Sequence, residues 1–216
     1  MKEKLSSLAT AVLVLCALVI TGLTVRRELL SAPTTAATRQ GVPVQNWRST
    51  LAQPLLPAAP PVEIVVLADY TCRFCRQLET ALDSLQAEMG PRVQVTNLHY
   101  PLRPAGTGFT AAVASECAAL QGRRPAYHRA LYAHQDVLGS VAWDTLARAA
   151  GIPDLDTFRA CVREQRTASV VRQHHARGEA LGMSGTPTWL VNGTLYVGGA
   201  SYAEVVQRVR RATRIS

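Results

Sequence analysis

The chain of 216 residues contains very little lysine. Lys2 and Lys4 are its only lysines, and arginine supplies every later member of its 23 lysines and arginines. The arginines are scattered, apart from a cluster at residues 208–214 that we interpret as a solvated helix face, with an anionic lipid surface as the alternative contact. Because no basic groove is evident, the net charge of +8 does not predict nucleic-acid binding.

The sequence also lacks the ligands of a structural zinc site. Its one C-x-x-C pair, Cys72 and Cys75, has neither a second C-x-x-C nor an H-x-x-x-H pattern beside it, whereas such a site generally uses four ligands. His174 and His175 are adjacent, so their rings point in different directions on a helix. We therefore predict no metal and no cofactor beyond the cysteine pair. The length suits one sizeable core, and internal repeats are absent.

Charged residues are missing from residues 5–25, and a helix of that length rises roughly 31 Å, enough to cross a bilayer core. The run ends at two arginines without the small-x-small pattern of signal-peptide cleavage. We predict an uncleaved transmembrane anchor over residues 1–30, with a cleaved signal peptide as the alternative. Residues 31–61 are rich in Pro, Ala and Thr and are predicted to be a linker, in which a short helix docks Trp47 on the domain.

The remaining chain follows the order strand, helix, strand, helical block, hairpin and helix. The apolar run VEIVVLA predicts a buried strand, and the apolar spacing after it predicts a helix that begins at the cysteines. TWLV and TLYVGG, joined by Asn-Gly, predict a β-hairpin. This order predicts an α/β thioredoxin fold with core halves at residues 62–104 and 183–216, interrupted by an all-helical insertion at residues 105–182.

The position of the cysteine pair predicts redox chemistry. The first turn of a helix has unpaired N–H groups and the positive end of the helix dipole, which stabilise a thiolate. Arg73 adds positive charge beside Cys72. We therefore predict Cys72 as the attacking sulfur, Arg73 as thiolate-stabilising, and the more deeply placed Cys75 as the resolving sulfur. A purely structural disulfide is the alternative, but its small loop would stabilise little.

The second motif is SGTPTWLVNG. Pro187 stands directly before a predicted strand, where a trans proline would waste a hydrogen-bonding position. A cis Thr186–Pro187 bond would place this turn against the dithiol and leave backbone groups free to pair with an extended peptide. For an X-Pro bond, cis is the minority form on sequence grounds alone.

Together, DYTCRFC, the helical block and GTPTWLVNG resemble the DsbA-like branch of the thioredoxin superfamily, in particular its membrane-anchored bacterial members. The resemblance covers about residues 42–214. It implies Cys72 as nucleophile, Cys75 as resolving residue and Pro187 in cis, with Thr186 and Phe74 in substrate binding. It also implies that the domain lies outside the cytoplasm, in the periplasm or at the cell exterior, with the N-terminus inside.

The chain departs from the family six residues before the nucleophile. The family commonly has a buried carboxylate there that assists proton transfer at the resolving cysteine, and this chain has Val66. Arg73-Phe74 also differs from the Pro-containing pairs that are common between the cysteines. Cys117 and Cys161 are either two buried thiols or a bridge. The resemblance implies the bridge, because related proteins carry a second disulfide in this region.

The predicted function is that of a membrane-tethered thiol-disulfide oxidoreductase. The activity favoured within this class is the donation of disulfides to secreted polypeptides as they fold. The resemblance implies a membrane redox partner that reoxidises it, and we predict a monomer. One alternative is the same fold acting as a reductase or isomerase. Another is a non-catalytic thioredoxin-like module that binds metal through Cys72 and Cys75. The histidines, including His99 and His128, are predicted to have surface or capping roles.

Overall fold

One mixed β-sheet organises the protein, which is described at residues 19, 21, 41–51 and 62–213 by a computed structural model. The strands are β1 (Val42–Pro43), β2 (Val62–Ala68), β3 (Val93–His99), β4 (Thr188–Val191) and β5 (Thr194–Val197). They lie in the order β1-β5-β4-β2-β3, with β2 and β3 parallel and the other neighbours antiparallel. The parallel pair and the terminal hairpin are the two halves of a thioredoxin fold, so the predicted fold class is confirmed.

Helices cover both faces of the sheet and fill the segment between β3 and β4. The α-helices of the described residues are α1 (Trp47–Thr50), α2 (Arg73–Met89), α3 (Thr107–Ala119), α4 (Arg124–Ala133), α5 (Trp143–Ala149), α6 (Leu155–Arg163), α7 (Ala168–Ala180) and α8 (Tyr202–Thr213). Short 3-10 turns lie at Gly90–Arg92 and Gln135–Val137. The helices α3 to α7 fall within the range predicted for the insertion.

The central strand β2 is buried on both faces. Ile64 and Val66 lie in one core with Leu82 of α2, whereas Val65 and Leu67 lie in the opposite core, which α1 covers. Full burial of such a side chain contributes about 1.5–3 kcal/mol. The end of β2 is therefore held firmly, and the loop that leads into α2 starts from a fixed point.

The helical insertion has a core of its own. Tyr127, Leu131 and Phe158 are buried there with exposures of 0%, 0% and 1%. A disulfide joins Cys117 of α3 to Cys161 of α6, across a sequence separation of 44 residues. The insertion thus contains the Cys117–Cys161 disulfide that the resemblance implies.

The predicted linker over residues 31–61 is wrong for residues 41–51. There β1 pairs with β5, and Trp47 of α1 and Leu51 directly after it are 6% and 0% exposed because they pack on the apolar face of the sheet. The compact unit that contains the sheet begins at Gly41. The predicted short helix is therefore present, and its Trp47 is a core residue of the domain itself.

The predicted anchor, residues 1–30, lies outside the described residues except at positions 19 and 21. Among the residues that the structure describes, none of the helices has both the length and the apolar character that a bilayer span requires. The anchor stays a prediction from sequence.

Candidate active site

The two cysteines lie where strand β2 passes into helix α2. Cys72 is the N-cap residue of α2, with extended backbone dihedrals, and its carbonyl accepts the amide of Cys75 at 3.0 Å. Cys72 is half-buried, whereas Cys75, one turn into the helix, is only 2% exposed. Both are thiols in this structure. A substrate can therefore reach the first sulfur and not the second.

The environment separates the pKa values of the two thiols. A hydrogen bond from Cys75 is the largest of the causes that lower the pKa of Cys72 to about 6, and the contact with Thr186 and the backbone amides of Cys75 and Phe74 add to it. Burial, followed by the hydrogen bond to Cys72 and the Cys72 charge, raises the pKa of Cys75 strongly. In the reduced protein Cys72 is thus a thiolate at neutral pH, and Cys75 keeps its proton.

The loop before β4 touches the nucleophile. The Thr186–Pro187 bond is cis, and the Sγ atom of Cys72 lies 3.4 Å from the Thr186 carbonyl oxygen. Thr188 holds the loop by donating its hydroxyl to the Gly185 carbonyl at 2.9 Å. The structure therefore brings together Cys72, Cys75, Thr186 and Pro187, which are far apart in the sequence.

Arg73 and Phe74 lie on the exposed side of the site. Phe74 is 47% exposed, and the guanidinium of Arg73 lies over its ring, 4.7 Å from the centroid. The contacts that lower the pKa of Cys72 most come from Cys75, Thr186 and backbone amides, not from Arg73, which had been predicted to stabilise the thiolate. Leu102, also exposed at 52%, belongs to the neighbouring loop. The exposed ring of Phe74 gives the rim of the site an apolar surface.

A buried carboxylate holds the loop before the nucleophile. Asp69 is 4% exposed, and one of its oxygens accepts the amide and hydroxyl of Thr71 at 2.8 and 2.7 Å. The other oxygen accepts the amide of Leu102 at 2.9 Å. A Cβ added at Gly108 would overlap the carboxyl group. Asp69 thereby ties together the nucleophile loop, the loop after β3 and the start of α3.

Gln135 fixes the same loop from the insertion. Its amide donates to the carbonyls of Tyr70 at 2.7 Å and Cys72 at 3.0 Å, and the residue is 8% exposed. Neither Gln135 nor the role of Asp69 is predicted from the sequence. A polar residue directly after an apolar strand was a signal for Asp69, but the local sequence gave none for Gln135.

Position 66, where the resembling family commonly has a buried carboxylate, lies in an apolar core of this protein. Val66 is 2% exposed and lies opposite Trp189 of β4 in the sheet register. Glu63 does not replace it, because its carboxylate pairs with Arg48 at 2.8 Å. Any group that exchanges a proton with Cys75 must therefore come from elsewhere.

The prediction of surface or capping roles is wrong for two of the histidines. His99 and His128 are buried, with exposures of 3% and 8%. Each ring is hydrogen-bonded at 2.7 Å to a glutamate, His99 to Glu116 and His128 to Glu79. These pairs make the polar rings compatible with burial.

Within the described residues, one group of side chains has the geometry to hold a metal ion. His99, Glu116 and His174 each offer one ligand atom, all within 4.8 Å of one another. The carboxylate of Glu116 is already engaged by His99 and by Arg124, at 3.2 Å. The active-site cysteines are not part of this group.

Comparison with known proteins places the chain in a family. A family model described as Thioredoxin matches residues 57–210. Among curated proteins, the Na(+)/H(+) antiporter NhaA 1 of Mycobacterium sp. (strain KMS) is 33% identical over 153 residues, which are 68% of this chain and 24% of the antiporter. NhaA 3 of Salinispora tropica is 35% identical over 144 residues, 66% of this chain and 22% of that protein. The chain thus spans about a quarter of the length of these relatives.

Solved structures share the fold. Oxidised BdbD from Bacillus subtilis superposes with a TM-score of 0.67 at 20% identity, over 81% of this chain and 98% of BdbD. A thioredoxin-like oxidoreductase from Silicibacter pomeroyi gives 0.64 at 24% identity, over 79% and 99% of the two chains. The thiol-disulfide exchange protein alpha-DsbA2 from Wolbachia pipientis gives 0.60 at 15% identity, over 84% and 98%.

Proposed function

The chain belongs to the thioredoxin family and shares its fold with DsbA-like thiol-disulfide oxidoreductases, and we propose that it acts as a disulfide donor. In this function the oxidised Cys72–Cys75 pair is attacked at Cys72 by a substrate thiolate. A second substrate thiolate then attacks the mixed disulfide, so the substrate leaves oxidised and both cysteines are reduced. No cofactor other than the cysteine pair takes part.

The observation that carries the proposal is the stabilised Cys72 thiolate. Its pKa is lowered to about 6, chiefly by the hydrogen bond from Cys75. Stabilising the thiolate stabilises the reduced form of the protein, and a pair whose reduced form is stabilised is a stronger oxidant. The direction of electron flow that this supports is from the substrate to the protein.

The surface around the site suits a polypeptide substrate. Phe74, two residues after Cys72, exposes an apolar ring, and the Thr186 carbonyl oxygen lies 3.4 Å from the Cys72 sulfur. An unfolded chain offers apolar side chains and free backbone groups together, and it can pair with a loop in the manner of an added strand. We therefore assign folding secreted or envelope proteins as the substrate class.

The proposed location is outside the cytoplasm, in the periplasm or at the cell exterior, with residues 1–30 as a single membrane anchor. Two observations support it: the uncharged run at residues 5–25 and the Cys117–Cys161 disulfide, of a kind that persists in oxidising compartments. A membrane redox partner would then reoxidise the cysteine pair. The antiporter activity named for the curated relatives is not part of this proposal.

The test is the reduction potential of the Cys72–Cys75 pair. The full-length protein is equilibrated with glutathione buffers, and the fraction of oxidised Cys72 is read by mass spectrometry after alkylation. A potential towards about −120 mV, the value of a strong oxidant, supports the donor. A potential near about −270 mV refutes it and indicates a reductase.

A kinetic assay separates the remaining alternatives. The oxidised protein is mixed with a reduced peptide that contains two cysteines, with the C72S variant as control. Rapid peptide oxidation by the wild type alone supports the proposal. Absence of exchange, together with tight metal binding that C72S loses, would instead identify a metal-binding module.

A further inference from the structure

The resolving cysteine has no proton acceptor at the usual place. Cys75 is 2% exposed, so bulk water does not reach its sulfur, and Val66 provides no ionisable group. Yet the sulfur must gain a proton when the disulfide opens and lose one when it closes, because burial raises its pKa in the reduced state. A proton therefore has to cross the protein interior.

A chain of hydrogen bonds runs through the interior beside this cysteine. The hydroxyl of Tyr70 lies 2.7 Å from Nδ1 of His128, and Nε2 of His128 lies 2.7 Å from Oε1 of Glu79. Glu79 stands four residues after Cys75 on α2, and both are buried, so they lie on the same face of the helix one turn apart. Tyr70 belongs to the same buried cluster as Cys75.

Tyr132 packs against this chain. Its ring centroid is 5.0 Å from that of Tyr70 and 5.1 Å from that of His128. Burial raises its pKa well above the ordinary value, and the charge of Cys75 is the next cause, ahead of Tyr70 and Glu79.

The other end of the chain reaches the protein surface. Glu79 and His128 line a cavity of about 460 Å³ together with the exposed residues Asp83, Gln86 and Arg129. Glu79 and His128 keep side-chain exposures of 11% and 10%. A proton that arrives at this pair can therefore pass to water in the cavity.

We propose that Tyr70, His128 and Glu79 form the proton route of Cys75, with His128 as the carrier and Glu79 as the group that positions and stabilises it. The inference rests on the proposed function. The Tyr70 hydroxyl lies 3.0 Å from Oγ of Ser115 as well as 2.7 Å from Nδ1 of His128. In the route, Nε2 of His128 donates to Glu79 while Nδ1 accepts the proton from Tyr70, and the carboxylate stabilises the imidazolium that results.

The atoms balance in either direction. When a substrate thiolate attacks Cys72, the Cys72–Cys75 bond breaks, its electron pair goes to the Cys75 sulfur, and the route delivers a proton there. When Cys75 attacks a mixed disulfide, its proton leaves along the same route, the Cys72–Cys75 bond forms, and the electron pair goes to the departing thiolate. No further oxidant or reductant is required.

Other titratable groups also face this region. They are Asp69 and Cys72 before and at the start of α2, Asp83 on α2, His99 at the end of β3, Glu116 on α3, and Arg124 and Arg129 on α4. His99 and Glu116 form a second buried pair at 2.7 Å that is not on the helix of Cys75. This second pair provides a matched control.

The experiment isolates the step in which Cys75 attacks. The reduced full-length protein is converted to a mixed disulfide between Cys72 and an aromatic thiol, and the release of that thiol is followed by absorbance as a function of pH. We expect E79Q and H128Q to slow release at pH 7 at least about tenfold and to move the midpoint of the profile upward by about one unit. E116Q, whose carboxylate acts on Tyr70 only through its charge, should change the rate and the midpoint less than E79Q or H128Q does.

The outcomes separate the proton route from the function itself. Equal release from the wild type and C75A would refute the proposed thiol exchange. Normal release from the wild type with an unshifted profile in a folded E79Q or H128Q variant would refute the route alone, and so would an equal shift in E116Q. Alkylation of Cys72 should proceed normally in all three variants, since the route does not serve that sulfur.

A second variant does not depend on E79Q or H128Q folding. Y70F keeps the ring in the core and removes only the hydroxyl that lies 2.7 Å from Nδ1 of His128. The route requires thiol release to slow in Y70F, and release at the wild-type rate would overturn it.

Discussion

The thiolate of Cys72 owes most of its stability to one neighbour, so C75A should raise its pKa. The hydrogen bond from Cys75 is the largest cause of the value of about 6. A hydrogen bond to a charged group contributes about 1.5–3 kcal/mol, which corresponds to about one to two pKa units. Because Cys72 is half-buried, solvent screening favours the lower end. We therefore expect a pKa of about 7 in C75A.

The assay is the pH dependence of alkylation with iodoacetamide. Cys117 and Cys161 are disulfide-bonded, and mass spectrometry of the Cys72 peptide distinguishes it from Cys16. C75S is the matched control, since its hydroxyl can still donate to the thiolate, and its midpoint should stay closer to that of the wild type. A midpoint in C75A that stays near 6 would refute the reasoning and assign the stabilisation to the helix start and Thr186.

The remaining predictions concern stability and its pH dependence. Replacing both Cys117 and Cys161 with alanine opens a loop of 44 residues and should lower the free energy of unfolding by about 4 kcal/mol, measured in urea under non-reducing conditions; an unchanged midpoint would contradict this. Q135A leaves two carbonyls without their donor and should cost about 1–3 kcal/mol in the same measurement, with faster hydrogen exchange at the start of α2. Burial lowers the pKa of His174 to about 4 from 6.5, so the unfolded chain binds that proton first and stability falls as the pH drops from 6.5 to about 4. H174Q should lessen this slope in pH-dependent unfolding, and an unaltered slope would show that other groups cause it.

The sequence predicted the parts of the molecule that follow local patterns. The apolar run before Cys72 and the helical spacing after it were enough to place the cysteines at a strand–helix junction. The Asn-Gly signal placed the hairpin, and the order of the elements predicted the thioredoxin fold, which is confirmed. These features depend on neighbours in the chain, so periodicity and turn chemistry reveal them.

Contacts between distant segments were not predictable in this way. Gln135 acts on a carbonyl 63 residues away, and His128 contacts Tyr70 across 58 residues. Each is a polar residue in a helical segment, where a solvent-facing position is the ordinary expectation. The Pro, Ala and Thr content of residues 31–61 predicts a linker. The sequence gives no local signal for β1, because this strand has only two residues and its partner strand lies at the far end of the chain.

The close approach of Asp69 to Gly108 restricts how this protein can vary. Gly108 lies in an ordinary helix, where alanine would normally be preferred, yet any side chain there would occupy the space of the carboxylate. The two positions should therefore behave as one unit in a saturation library: Gly108 tolerates a larger residue only together with a smaller one at position 69. That compensated pair would lose the acceptor for Thr71 and Leu102, so it would keep the helix and loosen the loop that presents Cys72.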